Sequence, residues 1–330
     1  MYTNISAIKN SLYSHNNNGN NNNHVIYSSS ANLINNTTIH PAPLIASIFA
    51  TFNAIAAAVN LIVFIYIISH RLYRNFVSSH FIAHLCVTNA VALFILLPTF
   101  IVTVWTGYNP WIYSNLTCRF QAFLTCTVWT VINFMGLCIA GVHLLTFARI
   151  HYEQLFGLQP NTLCILAWLV AVGLSLPTIT NGHVVVYEKA LRHCVWEDSD
   201  SGLKFLTYLL IIGLFIPASL EFYAYIRVLG ILYHSPIVFQ SIGLYKSRFL
   251  IYGFIASSFY QLPFYLITVI SKWRQTDSQL IMICTFIAYA QCIFSPFLYG
   301  ASLFLLKEED MALTNRAHKT TNTHQLAHNV

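Results

Sequence analysis

The residues with most chemical reach lie where polar chemistry is hardest to support. Pro217, Glu221 and Tyr225 recur every four residues in an apolar run whose one carboxylate is Glu221. Helical geometry puts the three on one face, within ~40° per step. A carboxylate inside such a run is costly and by default functional; the plainer alternative is a protonated acid, or one that snorkels to the surface. His143, in another apolar run, titrates near neutrality. His80 and His84 have the i, i+4 spacing of a metal pair, but two ligands make a poor site and helix-end polarity explains them, so no metal is expected. No Gly-rich phosphate loop, serine elbow or other catalytic set occurs, which argues against an enzyme and against a cofactor.

The elements that hold these residues follow from composition. Of 330 residues 56% are apolar and 8% charged, against ~25% charged in a soluble protein. Mean hydropathy is +0.60. Seven apolar runs stand out, at about 43–69, 79–106, 120–148, 162–181, 203–233, 247–271 and 279–303. Lipid offers backbone N–H and C=O groups no partner, so runs of this length must be helices. The third run, from Cys118 to Ile150, is the longest without charge and should touch most of the others. The expected fold is an all-α membrane protein, a seven-transmembrane helix bundle at 41–303 with a short C-terminal interfacial helix at 304–313 and a cytoplasmic tail at 314–330. Residues 1–40, rich in Asn, read as a disordered outer tail. No cleavable signal is visible, so the first span should direct insertion. A net charge of +6 without a basic cluster does not suggest nucleic acid.

Basic residues divide six against six between the two sides, so the positive-inside rule is silent. The glycosylation sequons at Asn4, Asn35, Asn36 and Asn115 all fall on the side of the N-terminus, which places that side outside the cell. Six of eight cysteines lie within spans, where they read as small apolar residues. Cys118 and Cys194 lie at loop level on the outer side, where an oxidising exterior would pair them.

A set of marks then recurs in order: Asn60; Leu85-x-x-x-Asn89 and Leu97-Pro98; Trp111 before Cys118; Trp168; Pro217 with Tyr225; Pro263; and Ser295-Pro296-x-x-Tyr299. In these marks the chain resembles the rhodopsin-like (class A) G-protein-coupled receptors over about residues 43–310. The resemblance implies a plasma-membrane receptor with an outer ligand cavity and an inner face that opens to a heterotrimeric G protein. It also implies departures. The second-span acid is Asn89, the Trp two residues before the sixth-span proline is Gln261, and the Asp-Arg-Tyr arginine is His143. Arg149 as its replacement would need six extra residues inside a helix. With Asn89 uncharged and Ile132 nearby, the family's sodium site should be absent.

Matched positions assign the cavity to Thr125, Cys126, Trp129, Gln261, Phe264, Tyr265, Thr268, Thr285 and Tyr289, with Trp196 above. Thr125 stands where amine receptors carry an aspartate, and Tyr289 where opsins carry a lysine, so neither a monoamine nor linked retinal is expected. A neutral small molecule, a lipid and a peptide stay open. Switch residues by the same match are Asn60, Asn89, His143, Glu221, Tyr225, Pro263, Ser295, Pro296 and Tyr299, with His143, Tyr225 and Glu221 replacing the arginine lock. Two rival readings remain: a decoy that binds ligand without signalling, and a transporter or channel, for which no inverted repeat is evident.

Overall fold

The structure, a computed structural model, describes residues 41–74, 76–148, 150, 158–188, 191–234, 244–273 and 277–327. The Asn-rich tail 1–40, with Asn4, Asn35 and Asn36, lies outside the described residues, as does Arg149. Seven helical segments are long and apolar enough to cross a bilayer: α1 (Pro43–Ser69), α2 (Val77–Thr106), α3 (Asn115–Ala148), α4 (Pro160–Thr180), α5 (Asp200–His234), α6 (Phe249–Ser271) and α7 (Gln279–Leu303). They coincide with the seven apolar runs to within a few residues. α3 is the hub, with its most extensive contacts to α2, α4 and α5. Large side chains on the rim, such as Leu61, Ile62, Leu169 and Phe249, point outward, as expected where lipid is the solvent.

Prolines shape the spans in a regular way. Proline lacks the N–H that would serve the carbonyl four residues back. Before Pro217, residues Leu209–Phe215 open into a π-helix, and the carbonyl of Gly213, four residues before the proline, accepts instead from Asn133 Nδ2 of α3 at 2.9 Å. Before Pro98, Ala92–Leu96 form a second π-helix, whose Leu93 carbonyl accepts from Asn53 Nδ2 of α1 at 3.1 Å. Each wide turn thus has a carbonyl supplied by an asparagine of a neighbouring span. In α6 the helix is interrupted at 258–261, just before Pro263, and the backbone there uses tighter bonds such as Tyr260 N–H to Ser257 O.

Between α4 and α5 the chain forms a hairpin, β1 (Val185–Glu188) and β2 (His193–Trp196), antiparallel with Tyr187 opposite Cys194. A disulfide joins Cys118 at the outer end of α3 to Cys194, Cα atoms 5.5 Å apart. Asn109 Nδ2 donates to the Arg192 carbonyl at 3.0 Å, and the Cys194 N–H donates to Gln121 Oε1 at 3.2 Å. All four β2 side chains are buried. At the other end of the chain, the helix that carries α7 runs from Ser278 to Ala327. The break expected near 304, between the span and a separate interfacial helix, does not occur; the segment 304–313 continues the same helix.

Candidate functional site

The buried polar groups gather at three levels. The outermost is a cavity beneath the hairpin, lined by Ala122, Thr125, Cys126 and Trp129 of α3, by Val185, His193, Cys194, Val195 and Trp196 of the hairpin, by Phe205 and Leu209 of α5, and by Phe264 and Tyr265 of α6. No lining residue is acidic or carries a fixed positive charge. Its free volume is about 20 Å³, room for about one water molecule. Aromatic rings set its shape: Trp129 meets Phe264 edge-on at 4.9 Å and Tyr289 at 5.7 Å, while Trp196 stacks on Tyr265 at 6.4 Å. The Trp129 indole N–H is buried without a hydrogen-bond partner. Outside the hairpin, a wider cleft of about 460 Å³ runs past Asn115, His183, Tyr187 and Glu197.

Of the residues assigned to the cavity from sequence, Thr125, Cys126, Trp129, Trp196, Phe264 and Tyr265 line it. The others do not. Thr268 and Thr285 turn their hydroxyls back to their own helices, onto the carbonyls of Phe264 (2.6 Å) and Ile281 (2.9 Å). Tyr289 is covered by His193, whose Nε2 lies 3.0 Å from the tyrosine hydroxyl. Gln261 sits one level deeper. His193 was not foreseen, and it fills the α7 side of the cavity, with its ring against Phe100, Phe264 and Tyr289. Burial pushes its imidazole pKa down to about 4. Its place beside Cys194 was the signal available, since the disulfide must draw that strand toward α3.

The middle level is a set of buried amides. Asn133 Nδ2 donates to Gln261 Oε1 at 3.0 Å, and Gln261 Nε2 donates to Gln291 Oε1 at 2.8 Å and to the Trp129 carbonyl at 3.3 Å. Asn89 Nδ2 donates to Ser295 Oγ at 2.8 Å, and Asn60 Nδ2 to the Cys86 carbonyl at 2.8 Å. Asn89, where the family carries an acid, is therefore joined directly to α7.

The innermost level holds Glu221, His143, Tyr225 and Tyr299, each 5% exposed or less. Tyr225 stacks on Phe254 of α6 at 5.1 Å, and Phe254 on Tyr299 of α7 at 5.0 Å. His143 Nδ1 lies 3.4 Å from the Tyr225 hydroxyl, a long hydrogen bond, and its Nε2 has no partner. Glu221 faces α3 at Gly136, where an added Cβ would come within 3.0 Å of Oε2. Ser258 is within hydrogen-bonding reach of the carboxyl group, and Oε1 has no partner. The glycine makes the room that the acid occupies. Pro263 marks the α6 interruption, while Pro296 lies inside the α7 helix without ending it.

Comparisons with known proteins agree with this arrangement. The family model described as 7 transmembrane receptor (rhodopsin family) matches residues 59–299. The neuropeptide Y receptor type 4 of Mus musculus is 21% identical over 314 residues, 84% of this chain and 81% of that protein. The compound eye opsin BCRH1 of Hemigrapsus sanguineus is 23% identical over 201 residues, 56% of this chain and 50% of that one. Seven apolar helices, an α3 stapled to the hairpin and a family match over most of the chain lead to one assignment: this multi-pass membrane protein belongs to the rhodopsin family of seven-transmembrane receptors.

Proposed function

We propose that the chain is a plasma-membrane receptor, N-terminus outside, that takes an extracellular ligand beneath the hairpin and passes the change to a heterotrimeric G protein. The observation that carries this reading is that one helix, α3, lines the outer cavity with Thr125 and Trp129 and reaches the inner cluster with His143. Family membership supports it. So does the exposed Asn115 sequon, which lies at the same end of α3 as the disulfide and is expected to carry a glycan, along with Asn4, Asn35 and Asn36.

The two relatives' names point to different stimuli, a neuropeptide for one and light for the other. The cavity favours neither a charged amine nor a Schiff-base chromophore, since its lining offers no carboxylate and no lysine. It fits an uncharged, largely apolar group with an acceptor for the Trp129 N–H. Such a group enters only if the hairpin gives way, because the closed cavity holds about 20 Å³. At the inner end, His143, Tyr225 and Glu221 act as the switch in place of an arginine lock. A ligand screen read out by G-protein dissociation tests the reading, with His143→Arg alongside. The expected result is ligand-driven dissociation that His143→Arg strengthens. Saturable binding with no dissociation for either form would favour the second reading, a decoy receptor. The observation behind that reading is His143 itself, a smaller side chain whose Nε2 has no partner.

A further inference from the structure

Gln261 was expected in the ligand cavity and is instead the meeting point of four spans. It belongs to α6, receives a hydrogen bond from Asn133 of α3, and donates to Gln291 of α7 and to the Trp129 carbonyl. Asn133 uses its second N–H on the Gly213 carbonyl that Pro217 leaves free in α5. Gln261 is 1% exposed, and both of its amide hydrogens and its oxygen are engaged. In so dry a setting, satisfied amide bonds hold firmly and unsatisfied ones are costly.

Its place in α6 gives these bonds a use. Residues 258–261 are the stretch where α6 leaves helical geometry, directly before Pro263. Above the knot is Trp129, a cavity-lining residue whose own carbonyl is one of the acceptors. Below it, Ser258 at the start of the same interruption reaches Glu221, and Phe254 one turn further in stacks between Tyr225 and Tyr299. A hydrogen-bonded knot thus sits on a hinge, between the cavity and the inner cluster.

We propose that Gln261 is the positioning residue of this receptor's transition: its amide locks the α6 hinge to α3, α5 and α7, and displacement of Trp129 releases the lock. This rests on the receptor reading above for its purpose, but not for its geometry. Spin labels on keto amino acids at positions 150 and 249, both exposed at the inner ends of α3 and α6, report the separation of those ends in full-length receptor in nanodiscs. Gln261→Leu should enlarge the population with longer separations about threefold or more, the change expected from losing a single hydrogen bond. The triple variant Asn133→Leu/Gln261→Leu/Gln291→Leu removes all three side-chain amides together and should show the same shift; it decides the matter if Gln261→Leu alone does not fold. An unchanged distance distribution in the folded variants would overturn the proposal and reduce the knot to packing. Basal nucleotide exchange on the same preparations separates the two readings: a distance shift without exchange upholds the hinge lock and removes G-protein coupling.

Discussion

In the outer half of the bundle, His193 reaches Tyr289, Gln121 takes the Cys194 N–H, Asn109 takes the Arg192 carbonyl, and a disulfide fastens the whole hairpin to α3. In the inner half, Glu221 Oε1 and His143 Nε2 have no partner, and an aromatic stack of Tyr225, Phe254 and Tyr299 does most of the holding. The outer region is tied by covalent and backbone bonds that leave little room to move. The inner one keeps polar groups buried at a cost, which is the condition for a region with a second arrangement. The contrast assigns closure to the outer half and responsiveness to the inner half.

The largest effect should come from cutting the staple. Cys118→Ser removes a bond typically worth about 2–5 kcal/mol and should free the hairpin. Hydrogen exchange across 185–196 should then rise far more than exchange around Glu221; equal rises would erase the distinction between the halves.

Next is acid. His193 is held neutral in the closed hairpin, with a pKa of about 4, and returns to about 6.5 when exposed. Folded-state protonation is disfavoured, so closure is fully stable above about pH 6.5 and weakens as pH falls toward 4. The loss is about 2 kcal/mol at pH 5. Hairpin exchange measured from pH 7.5 to 5 should accelerate in the wild type and stay nearly flat in His193→Phe. Parallel profiles would remove His193 from the closure.

At the inner end, Glu221→Gln keeps the shape and removes the ionisable group. Basal nucleotide exchange should change several-fold and lose part of its pH dependence, while hairpin protection stays put. No change in either would make Glu221 a passive buried acid. Gly136→Val, which drives a side chain into the Glu221 carboxyl group, should destabilise by about 1–3 kcal/mol. The smallest expected effect is of sodium. With Asn89 bonded to Ser295 and no carboxylate at that place, millimolar sodium should leave ligand affinity unchanged. A clear shift would show that the middle level holds an ion after all.

Much of this was legible in the residues. Lipid leaves long apolar runs one structure, so the seven spans were readable from composition, and two loop-level cysteines announced the staple. The hairpin was less visible, although Val184-Val185-Val186-Tyr187 carries the β-branched and aromatic signal of a strand. Gln261 was noticed as a departure, but its direction depends on the interruption at 258–261, which turns side chains away from the faces that a regular helix would give them. Thr268 and Thr285 were misplaced for a different reason: a hydroxyl can satisfy itself on its own helix, and spacing alone does not reveal that choice. Asn133 and Gln291 were passed over because a buried amide declares a need for partners without naming them.

The most direct test of the account joins its two ends. If the cavity and the inner face share one transition, a G protein bound inside must alter the outer cavity as much as a ligand outside alters the G protein. Hydrogen exchange of the receptor with and without a nucleotide-free heterotrimer measures this. The account predicts changed protection at 185–196 together with protection of the inner ends of α3 and α6. Protection confined to the inner ends, with hairpin and cavity unmoved, would contradict it.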